Sequence, residues 1–172
     1  DLWFPVGGKH LNWGESMQSF RALLDAFTAA VERKDIGAFS ALFTEDGEYD
    51  DVFYGVFKGR EAIGEMLKEH FHGNAKDFRW EMHDEIFAGD LGYAHYTFSY
   101  TSTMKHSLGK RAVFSGCSQF RLKDGLIHRY REWAYGLAGL SQLDAPPTLI
   151  ARQAGRESDR IRGAANPTVH LI

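Results

Sequence analysis

The order of periodicities along this chain predicts an α+β domain, with helices first and a long run of antiparallel strands after them. Three observations carry that prediction. Up to residue 71, apolar side chains recur at three- and four-residue steps, the spacing of one helical face, with one short strand pair between. From Phe78 to Ala134 the period falls to two, as in half-buried strands. Ala88-Gly89-Asp90 and Lys123-Asp124-Gly125 cut that second stretch into hairpins. The helices must then cover one face of a strongly curved sheet.

Residues 1–15 hold Trp3, Phe4, Leu11 and Trp13 among Pro and Gly, and read as an irregular arm with apolar anchors. Met17, Phe20, Leu24, Phe27 and Val31 then mark one face of a long helix beginning at Ser16. Asp35 caps a short second helix carrying Ile36, Phe39, Leu42 and Phe43. Residues 44–47 are polar and end it. A strand follows over residues 48–53, then a turn at Tyr54-Gly55 and a short second strand. Gly59 opens a third helix with Ile63, Met66, Leu67 and Phe71 on its buried face, and Gly73-Asn74 stops it.

In the period-two region, Phe78, Trp80, Met82 and Ile86 alternate with Arg79, Glu81, His83 and Glu85. Ala94, Tyr96, Phe98 and Tyr100 share a face on the next strand. Ala112, Phe114, Gly116, Ser118, Phe120 and Leu122 do so on the one after, opposite Val113, Ser115, Cys117 and Gln119. The last strand places His128, Tyr130, Glu132 and Ala134 together, with Ile127, Arg129, Arg131 and Trp133 behind them. Residues 16–136 are therefore the domain. Residues 137–172, broken at Pro146-Pro147 and rich in Arg, read as a C-terminal tail whose apolar end docks on the domain or on a partner subunit.

Composition narrows the function classes. A net charge of -3 lacks the basic surface that nucleic acid needs, so no nucleic-acid partner is expected. No apolar run is long enough to span a membrane, and no membrane partner is expected. Cys117 is the single cysteine, which excludes an internal disulfide and fits a reducing, cytoplasmic compartment. Thirteen Phe residues supply enough aromatic surface to line an apolar cavity as well as a core.

Chemistry concentrates on two strands. Tyr49, Asp51 and Phe53 share one strand face, and Tyr130, Glu132 and Ala134 share another. If both faces point inward, two carboxyl groups sit in a mostly apolar cavity. Burial raises a carboxyl pKa, and a second carboxylate nearby raises one of the pair further. One acid then serves as base and the other as proton donor. Asp51, Glu132 and Tyr49 are the candidate catalytic residues. Phe27, Phe53, Trp80, Tyr96, Phe98, Phe114, Ser118, His128 and Tyr130 are the candidate substrate-binding residues. Tyr49, Tyr96 and Tyr130 could donate hydrogen bonds to a developing oxyanion. The implied chemistry is cofactor-free proton transfer on a small hydrophobic, aromatic substrate: isomerisation, cyclisation, dehydration or retro-aldol cleavage. In the rival reading, Glu132 pairs with Arg129 or Arg131 at a strand edge, Asp51 closes a turn, and the domain only binds its ligand.

No metal site is expected. His70 and His72 are two apart on a helix and do not share a face, and Glu69 beside them gives no zinc-hydrolase spacing. Gly55 and Gly59 lack the Lys-Ser/Thr of a phosphate loop. Cys117 faces outward and reads as inert. Tyr93, His95, Thr97, Val113, Ser115, Cys117 and Trp133 make an outer sheet face too apolar to stand free, so a homodimer through that face is expected.

Several of these stretches resemble the SnoaL-like members of the nuclear transport factor 2-like superfamily. They are Leu42-Phe43-Thr44-Glu45-Asp46, Tyr49-Asp50-Asp51, Gly59-Arg60-Glu61-Ala62-Ile63, Gly89-Asp90 and Asp124-Gly125-Leu126-Ile127. The resemblance spans about residues 17–136. It implies a cone in which a curved antiparallel sheet wraps a long N-terminal helix and leaves an apolar pocket. It also implies an activity among isomerases, dehydratases, epoxide hydrolases, polyketide cyclases and pure binding domains. Asp51 corresponds to the general base of ketosteroid isomerases, whose oxyanion Tyr and protonated Asp fall at Phe27 and Gly116. In limonene epoxide hydrolases the water-holding Tyr and Asn fall at Tyr49 and Asp51 and the catalytic Asp at Glu132, while their Arg and second Asp fall at Tyr96 and Phe98. Taken together, the two comparisons leave a pair of carboxylates, Asp51 and Glu132, as what the resemblance implies for the site.

Overall fold

The computed structural model describes residues 13–171. Most of the expected N-terminal arm, with Trp3, Phe4 and Leu11, lies outside the described residues, as does Ile172. Helix α1 (Trp13–Glu32) begins three residues ahead of Ser16 and buries Phe20, Leu24, Phe27 and Val31. Helix α2 (Ile36–Ala41) is capped as its sequence requires: Asp35 Oδ1 accepts from the Ala38 amide at 2.9 Å. Strands β1 (Phe43–Asp51) and β2 (Gly55–Lys58) come next. Helix α3 (Arg60–Met66) then runs into a π turn (Leu67–Phe71).

Strands β3 (Ala75–Ala88), β4 (Leu91–Ser102), β5 (Arg111–Lys123) and β6 (Leu126–Ala134) form the meander. The β5–β6 hairpin turns on Asp124 and Gly125, both at positive φ (53° and 79°), which a two-residue turn between right-twisted strands demands. The sheet is curved and unclosed, with six strands in the order β2-β1-β6-β5-β4-β3. One pair departs from the expected antiparallel pattern: β1 runs parallel to β6, Tyr49 beside Tyr130 and Asp50 beside Arg131. A parallel pair needs a long connection, and everything from β2 to β5 provides it.

Strand β1 starts at Phe43 rather than at residue 48. Its polar residues 44–47 are accommodated in a register shift against β6 between Phe43 and Glu48. Two bulges also change which side chains face inward. At Asp84 the β3 register shifts, so Phe87 turns in and stacks on Phe20 at 4.9 Å, while Ile86, expected inside, is exposed. In β6 a shift at His128 turns Ile127 into the core, not outward with Arg129, Arg131 and Trp133. A bulge adds one residue and flips every later side chain to the opposite face.

The core is aromatic. Phe27 on α1 stacks on Tyr130 at 5.2 Å and meets Trp80 and Phe120 edge-on, so the helix fills the narrow part of the cone. The expected tail is helical: α4 (Gly136–Gln142), α5 (Pro147–Ala164) and α6 (Pro167–His170). Pro147 starts α5 instead of breaking it, because the first helical residue needs no amide hydrogen. Helix α5 docks on the β1–β2 turn. Gln153 Nε2 donates to Val52 O at 2.8 Å, Arg156 Nη1 to Phe53 O at 3.0 Å, and Arg160 pairs with Asp50 at 2.7 Å. No described helix is long and apolar enough to cross a membrane.

Candidate active site

Where α1 no longer fills the cone, a cavity opens between the sheet and the π turn. Its space is about 580 Å³, open mouth included. Phe78, Trp80, Phe98, Tyr100 and Phe114 give it an aromatic wall. Tyr54 and His70, stacked at 4.7 Å, belong to its outer part, where Tyr54 is exposed.

Asp51 and Glu132 are the acids in this wall. Strand register explains why they meet. In the parallel β1–β6 pair, Asp50 lies beside Arg131, and the next step brings Asp51 level with Glu132 on the inner face. Asp51 closes the β1–β2 turn, as its rival reading had it, and lines the cavity as well. Its Oδ1 accepts from the amides of Phe53 (2.7 Å) and Tyr54 (2.8 Å). Its Oδ2 makes no hydrogen bond among the described residues. Glu132 does not pair with Arg129 or Arg131. Its Oε1 accepts from the Val52 amide at 3.3 Å, and its Oε2 from the hydroxyls of Tyr130 (3.0 Å) and Tyr96 (3.3 Å). Asp50, one residue before Asp51, takes the arginines on the outer side: Arg131 at 2.8 Å and Arg160 at 2.7 Å.

The two acids titrate far from their ordinary range. Burial pushes Asp51 up to about 6, against the pull of the Tyr54 and Phe53 amides and the Arg160 charge. Burial, then the Asp51 charge, pushes Glu132 up to about 8, against hydrogen bonds from Tyr130, Val52 and Tyr96. Burial first, and the Glu132 charge second, also raise the phenols of Tyr49, Tyr96 and Tyr130, so all three stay protonated, with Tyr96 and Tyr130 donating to Glu132.

Of the residues singled out in the sequence, Asp51, Glu132, Phe53, Trp80, Tyr96, Phe98 and Phe114 are brought together at the cavity. Five lie elsewhere. Tyr49 is fully buried behind the wall, stacked on Tyr130 at 4.4 Å. Tyr130 sits beside it and reaches the site only through its hydroxyl on Glu132. Ser118 stands behind Tyr130, their hydroxyls 2.9 Å apart. Phe27 packs in the narrow core under α1. His128 is carried away by its bulge, with Nδ1 3.2 Å from Thr44 Oγ1 and 3.6 Å from Asp46. Phe71, Phe78, Tyr100 and Met104 are cavity residues that the reading of the sequence did not single out. Phe78 and Tyr100 were signalled by the same alternation that marked Trp80 and Phe98.

Gly116 has a specific part. A Cβ there would lie 2.6 Å from Tyr96 Oη and 2.4 Å from the Trp133 carbonyl. A side chain is thus excluded at this position, where the resemblance to ketosteroid isomerases leads us to expect the place of a protonated Asp, and the Tyr96 hydroxyl occupies the adjoining space. Trp80 adds an indole N–H that is buried without a hydrogen-bond partner. Among the described residues, the group of side chains spaced to hold a metal ion is His83, Asp84 and His95, on the outer sheet face and not in the cavity wall.

Comparison with known proteins agrees with this architecture. No curated protein matches the sequence significantly. Among solved structures, TsrD from Streptomyces laurentii is similar at 21% identity and a TM-score of 0.66, over 75% of this chain and 97% of that one. A Catenulispora acidiphila protein with a ketosteroid isomerase-like fold is 19% identical with a TM-score of 0.65, over 72% and 93% of the two chains. An LEH-like epoxide hydrolase of M. tuberculosis is 19% identical with a TM-score of 0.62, over 80% and 97%. At such identities they share the fold. The SnoaL-like domain model matches residues 24–130, which reach from α1 to the Tyr130 that holds Glu132, and the chain belongs to that family.

Proposed function

We propose that this protein is a cofactor-independent general acid/base enzyme acting on a small hydrophobic, aromatic substrate that carries a carbonyl or hydroxyl group. The observation that carries the reading is the pair of unlike carboxyl groups in one apolar cavity. With Asp51 near 6 and Glu132 near 8, the state that prevails at neutral pH has Asp51 ionised and Glu132 protonated. The free Oδ2 of Asp51 takes a proton from the substrate. Glu132 gives its proton to, or shares it with, the substrate oxygen on which charge develops. Tyr96, held at Glu132 by its hydroxyl, stabilises the anion that Glu132 becomes. The aromatic wall orients a flat substrate and keeps water from the transferred proton. Isomerisation, cyclisation, dehydration and carbon–carbon cleavage all fit this proton inventory.

Ligand binding without turnover is the second reading, favoured by the absence of an oxyanion Tyr at position 27 and of an Asp at 116. Epoxide opening has less support, because the Tyr49 hydroxyl is behind the cavity wall and Tyr96 and Phe98 stand where the Arg–Asp pair would fall. The test is a screen of aromatic ketones and phenolic polyketide-like compounds with wild type and Asp51→Asn. Asp51→Asn keeps the shape and removes the base, so turnover should drop by about 100-fold or more with binding retained. The wild-type rate should follow a bell with limbs near 6 and 8. Binding without turnover in the wild type, or full activity in Asp51→Asn, would overturn the catalytic reading.

A further inference from the structure

We infer that His83, Asp84 and His95 form a binding site for one divalent transition-metal ion of the zinc type, on the outer face of the sheet and separate from the acid pair. His83 on β3 and His95 on β4 are direct cross-strand partners, their rings 5.9 Å apart. Consecutive strand residues normally point to opposite faces, so Asp84 would be expected to turn inward. It does not, because it occupies the β3 bulge at a φ of +53°. The bulge re-aims its carboxylate to the outer face, between the two imidazoles. Asp84 Oδ2 lies 2.7 Å from His83 Nδ1 and 3.8 Å from His95 Nδ1, and one ligand atom from each residue falls within 4.8 Å of the other two.

Those separations bracket what a metal needs. Bonds of about 2.0–2.2 Å from imidazole nitrogen and carboxylate oxygen in a tetrahedral shell put neighbouring ligand atoms about 3.3–3.6 Å apart. Small side-chain rotations reach that spacing, since all three side chains are more than half exposed. Two imidazoles and one carboxylate select borderline ions such as Zn²⁺ over Mg²⁺ or Ca²⁺, which prefer all-oxygen shells. Three protein ligands leave a fourth position for water or another donor. His95 alternates with Ala94 and Tyr96, which point into the domain, so the ion would sit across the sheet from the cavity.

The experiment uses the full chain, stripped with a chelator and titrated calorimetrically with Zn²⁺ at neutral pH. One ion per chain is expected. His83→Ala and His95→Ala should each weaken uptake by about tenfold or more, and the double variant should abolish it. Asp84→Asn should also weaken it while tolerating the left-handed backbone. His106→Ala and His170→Ala should bind as wild type does. Circular dichroism and thermal melts check that the variants fold. Absence of uptake by wild type, or uptake unchanged in the folded double variant, would overturn the site. Neither result depends on whether the cavity is catalytic.

Discussion

At the residue scale, the acid pair stores a pH-dependent cost. Both folded-state values, about 6 for Asp51 and about 8 for Glu132, lie above the ordinary 3.8 and 4.5. Between pH 4 and 8, roughly, the folded protein therefore retains protons that the unfolded chain has released. Stability falls as pH rises through that window, by up to about 1.4 kcal/mol per pH unit for each proton so retained. Urea unfolding of Asp51→Asn and Glu132→Gln should show a shallower decline, with the variants gaining on wild type above neutrality; equal slopes in all three would remove the basis for the shifted values. This scale was half legible in the sequence. Period-two alternation showed that Tyr49, Ser118 and Tyr130 face inward along with Asp51 and Glu132. It could not show depth, because the inner face is shared between the cavity and the packing of α1, whose Phe27 meets the cavity residue Trp80 edge-on. His128 was misplaced for another reason: no pattern announces a one-residue bulge.

At the element scale, helices and hairpins followed from apolar spacing, the Asp35 cap and the Asp124-Gly125 turn, all of them local signals. The docking of α5 did not. Its Arg, Gln and Glu residues after Pro146-Pro147 look like a solvated tail, yet Gln153 and Arg156 donate to backbone carbonyls more than a hundred residues away. Those carbonyls belong to Val52 and Phe53, in the turn whose amides hold Asp51. Helix α5 thus braces the turn from outside, although it lies beyond the matched residues 24–130. Gln153 is buried, so Gln153→Ala leaves the Val52 carbonyl without its donor and should cost about 1–3 kcal/mol. Amide exchange at Phe53 and Tyr54 should quicken more than global unfolding explains. Unchanged exchange at those two amides would mean that the turn holds itself.

At the scale of the whole molecule, we propose that the outer sheet face pairs with a second copy of the chain. Val113 and Trp133 are each 47% exposed, and Tyr93 is exposed beside them. Cross-strand register makes them one surface: His95 opposite Cys117, Cys117 opposite Trp133, Tyr93 opposite Gln119. The C-terminal segment, its apolar end expected to dock on the domain or on a partner subunit, is the alternative cover for this face. His170 and Leu171 do reach a groove beside Trp133, yet Trp133 stays half exposed and Val169 points to solvent. Arg131 lies 5.7 Å from the Trp133 ring centre, a cationic edge to an aromatic centre. A two-fold contact between two such faces would bury the tryptophan at its middle and leave the arginines toward the rim. We therefore expect a homodimer in solution, in which Trp133→Glu places a charge at the centre of the contact and yields a folded monomer. Sedimentation of wild type and variant should be run with and without chelator, because His95 lies on the same face and a bound ion could add its own bridge. A wild-type chain that sediments as a monomer at micromolar concentration under both conditions would rule the dimer out.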